Sequence, residues 1–291
     1  MAHIFKPKEQ RGDCPVCGYA SSYTETITRD GKRLGWCASC QDKAAIAAYL
    51  RGAGDSTHRA AGMGASIAQE RAERAVKAKE RARIIWDGAE TVTAHDPAGK
   101  YLTSRGLAVL VGFPFLRYRP DCPHPDGKRY PAMIAPLLSM DNQLQGVHRT
   151  FLTLAGKKAN LEPVKASLGS MWGSSILVRP ATEQAAWQEV IVAEGLESAA
   201  SAAILLDLPA IAAVSAGNMA SGLVLPPFIK SVVIAADDDG INTQGHNPGI
   251  EAAETAARRW KAEGRTVRII KPTQPGQDFN DVLMQRNREM N

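Results

Sequence analysis

The sequence of 291 residues lacks any apolar stretch of the length needed for export or for crossing a membrane. Residues 1–10 contain lysines and no apolar core of signal-peptide length. The most apolar later stretch, residues 199–214, is interrupted by Asp207 and Pro209, whereas a membrane-spanning helix needs about 20 apolar residues. These absences predict a cytoplasmic protein with no membrane contact. Because that compartment is reducing, disulfide bonds between its cysteines are not expected.

Three motifs of common enzyme classes are missing as well. The six histidines form no H-E-x-x-H or comparable spacing, so the usual zinc-protease signature is absent. There is no G-x-S-x-G elbow, which leaves Ser-His-Asp hydrolysis neither supported nor excluded. The P-loop G-x-x-x-x-G-K-[ST] is also absent, so the chain has no helicase motor of its own. Any helicase would be a separate partner.

The sequence does contain an uneven distribution of charge. Residues 1–185 hold 26 basic and 17 acidic side chains, whereas residues 186–291 hold 9 basic and 13 acidic ones. A basic first part and an acidic last part suit a polyanion bound by the former and metal ions bound by the latter. The alternative is that the basic surplus serves only solubility.

Four of the five cysteines form two C-x-x-C pairs, Cys14 with Cys17 and Cys37 with Cys40, separated by nineteen residues. This spacing is typical of a tetrahedral Zn²⁺ site, although redox activity or coincidence would also produce such pairs. Because cysteines fill all four ligand positions, no place remains for water and the zinc is expected to be structural. Cys122 stands alone and is assigned, with the histidines, to structure or surface.

The segment between the two cysteine pairs alternates in the manner of strands and breaks at Asp30-Gly31, a favoured hairpin turn. Together with the zinc site, this pattern predicts a zinc ribbon over residues 1–51. Its aromatic side chains, Tyr23 or Trp36, would stack on unpaired bases, unless they only cover a small core around the metal. Its basic side chains would contact phosphates, and the candidates are Arg29, Lys32 and Arg33.

Residues 52–86 are predicted to be a linker followed by a charged helix. Glycine, alanine and polar residues dominate positions 52–64. Positions 65–86 are dense in helix formers, with charges three and four residues apart. We expect a solvated helix whose last residues, 84–86, pack against the rest of the protein.

The stretch from Glu189 to Gly240 predicts the βαβ pattern of a parallel sheet. Two apolar, β-branched runs end on acids, the first on Glu194 and the second on Asp237, Asp238 and Asp239. Ligands of such sheets bind at the carboxyl ends of the strands, and residues two apart on a strand point the same way. Carboxylates this close together need a positive partner, and Mg²⁺ prefers such oxygen ligands. The alternative is an ordinary acidic loop after a strand.

These motifs resemble those of the Toprim domain, the metal-binding module of bacterial-type primases, of type IA and II topoisomerases and of some nucleases. The matching residues are E-G at 194–195 and V-V-I-A-A-D-D-D-G at 232–240. E-G-L-E-S-A-A-S-A-A at 194–203 and G-Q-D-F-N-D-V-L at 276–283 are similar to phage and plasmid primases in particular. The resemblance is close over the last third of the chain and looser elsewhere.

The resemblance implies roles for residues outside the acidic strand ends. It makes Asp278 a further acid near the metals, whereas Asp281 either lies near them or caps a helix that begins around Val282. It implies that the ribbon recognises template and that residues 87–185, a primase-like α+β subdomain with a mixed sheet, supply basic residues to nucleotide and template. Those candidates, each of which is otherwise ordinary surface, are Arg149, Lys158 and Lys165.

The sequence therefore predicts a multidomain protein of the α/β and α+β classes, with a C-terminal Toprim domain over residues 186–291. The predicted activity is that of a DNA primase, which joins ribonucleoside triphosphates into short RNA primers on single-stranded DNA. The transfer would use two Mg²⁺ or Mn²⁺ ions held by Glu194, Asp237 and Asp239. The resemblance implies a phage, plasmid or other mobile element as the source.

Three other functions are compatible with the same acids. A Toprim nuclease would direct water at a phosphodiester, but it would have less need of a four-cysteine ribbon and a basic middle region. A catalytically silent binder of single-stranded DNA, such as a recombination mediator, would not need the intact acids Glu194, Asp237 and Asp239. A topoisomerase would need a nucleophilic tyrosine in a further domain.

Overall fold

A computed structural model describes residues 8–16, 23–28, 30–37, 43–52, 57–178, 188–238, 240 and 246–290. The chain divides into two compact units, Met1–Val76 and Lys77–Asn291. Within the described residues, no helix combines the length and the apolar character that crossing a bilayer requires.

The first unit contains a small antiparallel sheet. Its strands are β1 (Lys8–Gly12), β2 (Tyr23–Ile27) and β3 (Arg33–Cys37), and helix α1 (Lys43–Gly52) follows them. The hairpin between β2 and β3 turns at Gly31, whose φ of 79° lies in the left-handed region that favours glycine. The hairpin that Asp30-Gly31 predicts is therefore present. Among the described residues of this unit, Cys14, Val16, Tyr23, Cys37 and Ile46 form a small buried core.

Helix α2 (Thr57–Asp87) begins earlier than the sequence predicts. Residues 57–64, expected to belong to a linker, are helical because alanine and methionine offset the cost of two glycines. Near its end, Ala82 and Ile85 are buried, whereas Ile84 is 66% exposed. Helical spacing turns position 84 away from the face that positions 82 and 85 share, so Ile84 does not pack as expected.

The second unit contains a five-stranded antiparallel sheet in its first half. The strands, in spatial and sequence order, are β4 (Glu90–Thr91), β5 (Arg117–Pro123), β6 (Arg129–Leu138), β7 (Leu144–Phe151) and β8 (Lys165–Gly169). Helix α3 (Pro97–Ser104) lies between β4 and β5 in the sequence. The predicted mixed sheet is wrong in this respect, because each strand pairs antiparallel with the strand before it.

A second five-stranded sheet follows. Its strands are β9 (Ile176–Val178), β10 (Glu189–Ala193), β11 (Ala210–Ala212), β12 (Ser231–Ala235) and β13 (Thr266–Ile270). They lie in the order β13-β12-β10-β11-β9, and every neighbouring pair is parallel except β11 with β9. The predicted C-terminal parallel sheet is confirmed. Its antiparallel edge strand, β9, comes from the segment that the sequence assigns to the middle domain.

Helices cover both faces of the parallel sheet, as strands that are apolar on both faces require. They are α4 (Leu196–Leu206), α5 (Pro248–Ala262) and α6 (Phe279–Glu289). Ile191 and Val233 face α4 and α6, in a core that continues into residues of α3 and β6. Val190 and Val192 face α5 on the other side. The shared core packs the antiparallel sheet and the parallel sheet into one unit.

Candidate active site

Glu194 and Asp237 emerge at the same edge of the parallel sheet. Strands β10 and β12 are neighbours, with Ala193 opposite Ala235, so the residues just beyond them lie side by side. Both acids line one cavity of about 500 Å³. Two carboxylates on one cavity wall are suitable oxygen ligands for Mg²⁺. Asp239, the third predicted acid, lies outside the described residues.

Another part of the cavity wall comes from the antiparallel sheet. His148 on β7 and Lys165 and Ser167 on β8 line it. His148 lies opposite Ser167 in the strand pair, and its Nδ1 is 3.0 Å from Ser167 Oγ. The cavity thus receives acidic side chains from one sheet and a lysine from the other.

Lys165 is bound by an acid that was not among the predicted site residues. Its Nζ donates to Glu197 Oε2 at 2.8 Å, and the Tyr101 hydroxyl donates to Glu197 Oε1 at 2.7 Å. Glu197 is only 5% exposed and lies in the first turn of α4, three residues after Glu194. Burial raises the pKa of Glu197, but the Lys165 charge and the two hydrogen bonds outweigh it and hold that pKa well below its ordinary value.

One sequence signal for Glu197 was available. It is a glutamate in a helix whose other first residues are apolar or small, and the structure buries residues 196–203 of that helix. A buried glutamate requires a cation or hydrogen-bond donors as partners. The cation is Lys165, which lies on β8 and 32 positions away in the sequence, and the local pattern around Glu197 does not identify it.

His148 is neutral at neutral pH. Burial first, and then the charges of Lys165 and Arg149, lower the pKa of His148 to about 4, against the opposing effect of Glu197. Among the described residues that line the cavity, the positive charge is therefore that of Lys165.

Lys158 and Asp278 belong to the electrostatic surroundings of the Lys165–Glu197 pair. Partial burial lowers the pKa of Lys158, and the Lys165 charge lowers it further, while Glu197 and Asp278 oppose the shift. The charges of Lys158 and Lys165 therefore interact, and the role of Lys158 in nucleotide or template binding stays a prediction.

Asp278 is the N-cap of α6. Its Oδ1 accepts from the Asp281 backbone N–H at 2.8 Å, and Asp281 Oδ2 accepts from the Asp278 backbone N–H at 3.2 Å. The helix therefore begins at Phe279 rather than around Val282, and the two aspartates form a reciprocal capping box. The role of Asp278 as a further acid near the metals stays a prediction.

Asp238, between the two predicted metal acids, does not line the cavity and is buried. Its carboxylate accepts from Asn247 Nδ2 at 2.7 Å and from Lys271 Nζ at 3.1 Å. The hydrogen bonds from Lys271 and Asn247 lower the pKa of Asp238. Asp238 thus anchors the loop after β12, while Asp237 lines the cavity.

Arg149 does not lie where its predicted role requires. Its side chain is buried, and its guanidinium donates to the carbonyl groups of Pro123 at 2.7 Å and Ala166 at 3.3 Å. These contacts leave it fixing the backbone of the sheet, which does not support binding of nucleotide or template. Cys122, beside it, is also buried, and burial raises the pKa of its thiol to about 11. Cys122 is therefore a structural residue.

The basic candidates of the first unit differ in their surroundings. Lys32 is exposed, whereas Arg33 forms an ion pair with Glu25. Arg29 lies outside the described residues. Tyr23 is buried and donates to Glu25 at 3.1 Å, so it belongs to the small core rather than to a base-stacking surface. Trp36 is 48% exposed.

The two predicted metal sites are each described in part. Cys14 and Cys37 are buried in the same small core, and Cys17 and Cys40 lie outside the described ranges. Within those ranges, no three His, Cys, Asp or Glu side chains are grouped as metal ligands. Both predicted sites also include residues that lie outside the described ranges.

Two domain families match the sequence. Residues 189–289 match the Toprim domain family, and residues 76–178 match a domain family of unknown function, DUF7146. The Toprim match includes Glu194 and Asp237, and the other match includes Lys165. No curated protein matches the chain.

Solved structures of primases are similar to this chain at low sequence identity. The DnaG catalytic core is 14% identical with a TM-score of 0.50, over 73% of this chain and 76% of that chain. The zinc-binding and RNA polymerase domains of the Aquifex aeolicus primase are 14% identical with a TM-score of 0.48, over 98% of this chain and 79% of that chain. A DnaG primase catalytic domain bound to ssDNA is 14% identical with a TM-score of 0.48, over 76% and 81%. The chain therefore contains a Toprim domain, in a fold similar to that of a DnaG catalytic core.

Proposed function

We propose that this chain is a DNA primase that joins ribonucleoside triphosphates into short RNA primers on single-stranded DNA. The observation that carries the proposal is the cavity that Glu194 and Asp237 share with Lys165. Nucleotidyl transfer needs acids to hold divalent cations and a cation to bind the triphosphate at the same place. The Toprim match and the fold similarity to the DnaG catalytic core support the same activity.

Glu194, Asp237 and Asp239 are the proposed ligands of Mg²⁺ or Mn²⁺. The two described acids fit such ions because both carboxylates line one cavity while Asp238 is bound to Lys271 and Asn247. When bound, two such ions would activate the attacking 3′-hydroxyl and neutralise the leaving pyrophosphate. Asp278 would be a further acid near them.

Lys165 is the proposed contact for the phosphate oxygens of the incoming nucleotide. It lines the same cavity as the acids, so one nucleotide would reach both. Lys158, whose charge interacts with that of Lys165, would extend this positive region toward nucleotide or template. Arg149 is left out of the proposal because its donors are used by backbone carbonyl groups.

The first unit is the proposed template-binding part, a zinc ribbon in which Cys14, Cys17, Cys37 and Cys40 hold one structural Zn²⁺. The burial of Cys14 and Cys37 in one small core supports this ligand set. Exposed Lys32 and Trp36 would contact phosphates and stack on unpaired bases, with Arg29 and Arg33 as further basic contacts.

The motifs E-G-L-E-S-A-A-S-A-A and G-Q-D-F-N-D-V-L support the primase type that phages, plasmids and other mobile elements encode. The proposed partner of such a primase is a separate replicative helicase.

A primer-synthesis assay tests the proposal. The full chain is incubated with single-stranded DNA, labelled ribonucleoside triphosphates and Mg²⁺ or Mn²⁺, and the products are resolved by length. The test variant is Asp237→Ala with Asp239→Ala. The matched control is Asp141→Ala, which removes an exposed acid from the turn between β6 and β7, outside the cavity.

We expect short labelled oligomers from the wild type and the control, and none from the double variant. Shortening of the template by the wild type alone, without incorporation, would identify a nuclease instead. Binding of single-stranded DNA with neither reaction would identify a silent mediator, and either result would refute the primase.

A further inference from the structure

We propose that Glu197 and Tyr101 are positioning residues that hold the Lys165 ammonium group at the cavity wall for the triphosphate of the nucleotide. The inference rests on the proposed function and deepens it, because it assigns a role to two residues that were not among the predicted site residues. The observation behind it is one chain of contacts, from Tyr101 Oη to Glu197 and from Glu197 to Lys165 Nζ, at 2.7 and 2.8 Å.

Lys165 needs such support because of its position in the sheet. It lies on β8, the last strand in the order β4-β5-β6-β7-β8, so among the described strands β7 alone pairs with it. Its side chain is 31% exposed. A lysine stem carries about 2 kcal/mol of rotamer entropy, which a ligand must otherwise overcome when it fixes the ammonium group.

Glu197 is placed to provide this support. Its side chain is 6% exposed, and each of its oxygens accepts one hydrogen bond, so the carboxylate is fixed between α3 and β8. Because a buried ion pair is often no more stable than apolar residues of the same volume, stability alone is a weak reason for a glutamate here. Its place one turn after Glu194 links the lysine to the strand end that carries a proposed metal ligand.

Tyr101 fixes the other oxygen of Glu197. It is 3% exposed, and burial together with the Glu197 charge raises the pKa of its hydroxyl, which therefore stays protonated and donates. Tyr101 lies on α3, whose start is capped by the Asp96 side chain accepting from Gly99 N–H at 2.9 Å. The anchor of Lys165 is thus itself held by a capped helix.

The charges around the pair make Glu197 the balancing anion. Burial, and then the Lys165 and Arg105 charges, lower the pKa of Lys158, whereas the charges of Glu197 and Asp278 raise it. Without the Glu197 charge, nothing on α4 would offset the repulsion between the two lysines, and Lys165 would turn from the cavity wall toward solvent.

The test compares nucleotide affinity in Glu197→Gln, Tyr101→Phe and Lys165→Met. Affinity is measured by equilibrium titration of the full chain with a fluorescent ATP analogue and Mg²⁺, which requires no turnover. We expect the Kd to rise about tenfold in Glu197→Gln, which removes the charge that holds Lys165, and about threefold in Tyr101→Phe, which removes one hydrogen bond to Glu197 and leaves that charge in place. In primer synthesis, the KM for nucleotide should rise by similar factors while kcat changes less than twofold.

A double-mutant cycle separates positioning from a general structural role. If Glu197 acts through Lys165, adding Glu197→Gln to Lys165→Met weakens binding no further than Lys165→Met alone. The matched control is Asp141→Ala, which removes an exposed carboxylate from the turn between β6 and β7, outside the cavity, and its Kd should equal that of the wild type.

Independent, additive effects in the cycle, or an unchanged Kd in Glu197→Gln, would overturn the inference. If Glu197→Gln does not fold, Tyr101→Phe decides, since it removes one hydroxyl and an unchanged Kd would refute the role. If the wild type binds the analogue but makes no primer, the proposed function is refuted. The Kd values of the variants then still test whether Glu197 and Tyr101 position Lys165. A wild type that binds no nucleotide would refute the positioning itself.

Discussion

Lys165 on β8 and Glu197 in the first turn of α4 form an ion pair, with 2.8 Å between Nζ and Oε2. The pair connects the antiparallel sheet to the helix that follows the Glu194 strand end, beside the proposed active site. Because the Glu197 side chain is almost fully buried, removing the Lys165 charge leaves the Glu197 carboxylate poorly solvated. Stability should therefore depend on this contact.

The pair should make stability depend on pH in a defined direction. The pKa of Glu197 in the folded protein lies below its ordinary value of 4.5. A lowered carboxylate pKa contributes stability above pH 4.5 and loses it as pH falls toward the folded value. We expect Glu197→Gln to lower the free energy of unfolding by about 3 kcal/mol at pH 7, and by progressively less below pH 4.5. Urea denaturation from pH 3 to 7 measures this, and a constant difference would contradict it.

Arg149 should be a structural residue. Replacing it with methionine removes the donors that satisfy buried carbonyl groups of Pro123 and Ala166. We expect Arg149→Met to lower the free energy of unfolding by about 2 to 4 kcal/mol. Below its unfolding temperature, the KM for nucleotide should stay within twofold of the wild-type value. A large rise in KM with little loss of stability would restore its predicted role in binding.

Gly249 should control the position of Asp237. It lies in the first turn of α5, and a Cβ added to it would overlap the backbone carbonyl oxygen of Asp237. The backbone carrying Asp237 must then move, and small displacements of catalytic groups cost up to about a hundredfold in rate. We expect Gly249→Ala to reduce primer synthesis at least tenfold and to raise the Mg²⁺ concentration required.

The matched control for Gly249→Ala is Glu254→Gly, on the exposed face of the same helix. This change weakens α5 by about 1 kcal/mol without touching the Asp237 loop. Its activity at saturating Mg²⁺ should equal that of the wild type. Equal activity losses in the two variants would show that helix stability, rather than the position of Asp237, matters.

Zinc should be bound by the first unit alone. We expect elemental analysis of the full chain to find about one Zn²⁺ per molecule, and Cys37→Ser to lose it, because one thiolate of a four-cysteine site is gone. Cys122→Ser is the control, since Cys122 is buried in the second unit beside Arg149. A wild-type protein without zinc, or equal loss in the control, would contradict the ribbon.

Features that depend on neighbouring residues could be predicted from the sequence. The Asp30-Gly31 hairpin follows from turn chemistry, and the parallel sheet from apolar runs that end on Glu194 and Asp237. Each acid follows directly after an apolar run in the sequence, and the two runs form neighbouring parallel strands. Glu194 and Asp237 therefore lie at the same edge of the sheet and line one cavity, as the sequence predicts. The prediction of a mixed sheet was wrong because the relative direction of two strands depends on which strands pair, and hydrophobic periodicity does not encode that pairing.

The sequence by itself determined the secondary structure of the Toprim part, its acidic strand ends and the spacing of the cysteine pairs. Only the tertiary structure decided which charges are used where. It buried Arg149 against carbonyl groups, placed Asp278 at a helix cap and paired Lys165 with Glu197. The physical reason is that the role of a charged side chain depends on the groups that it contacts, and those groups come from segments far apart in the chain.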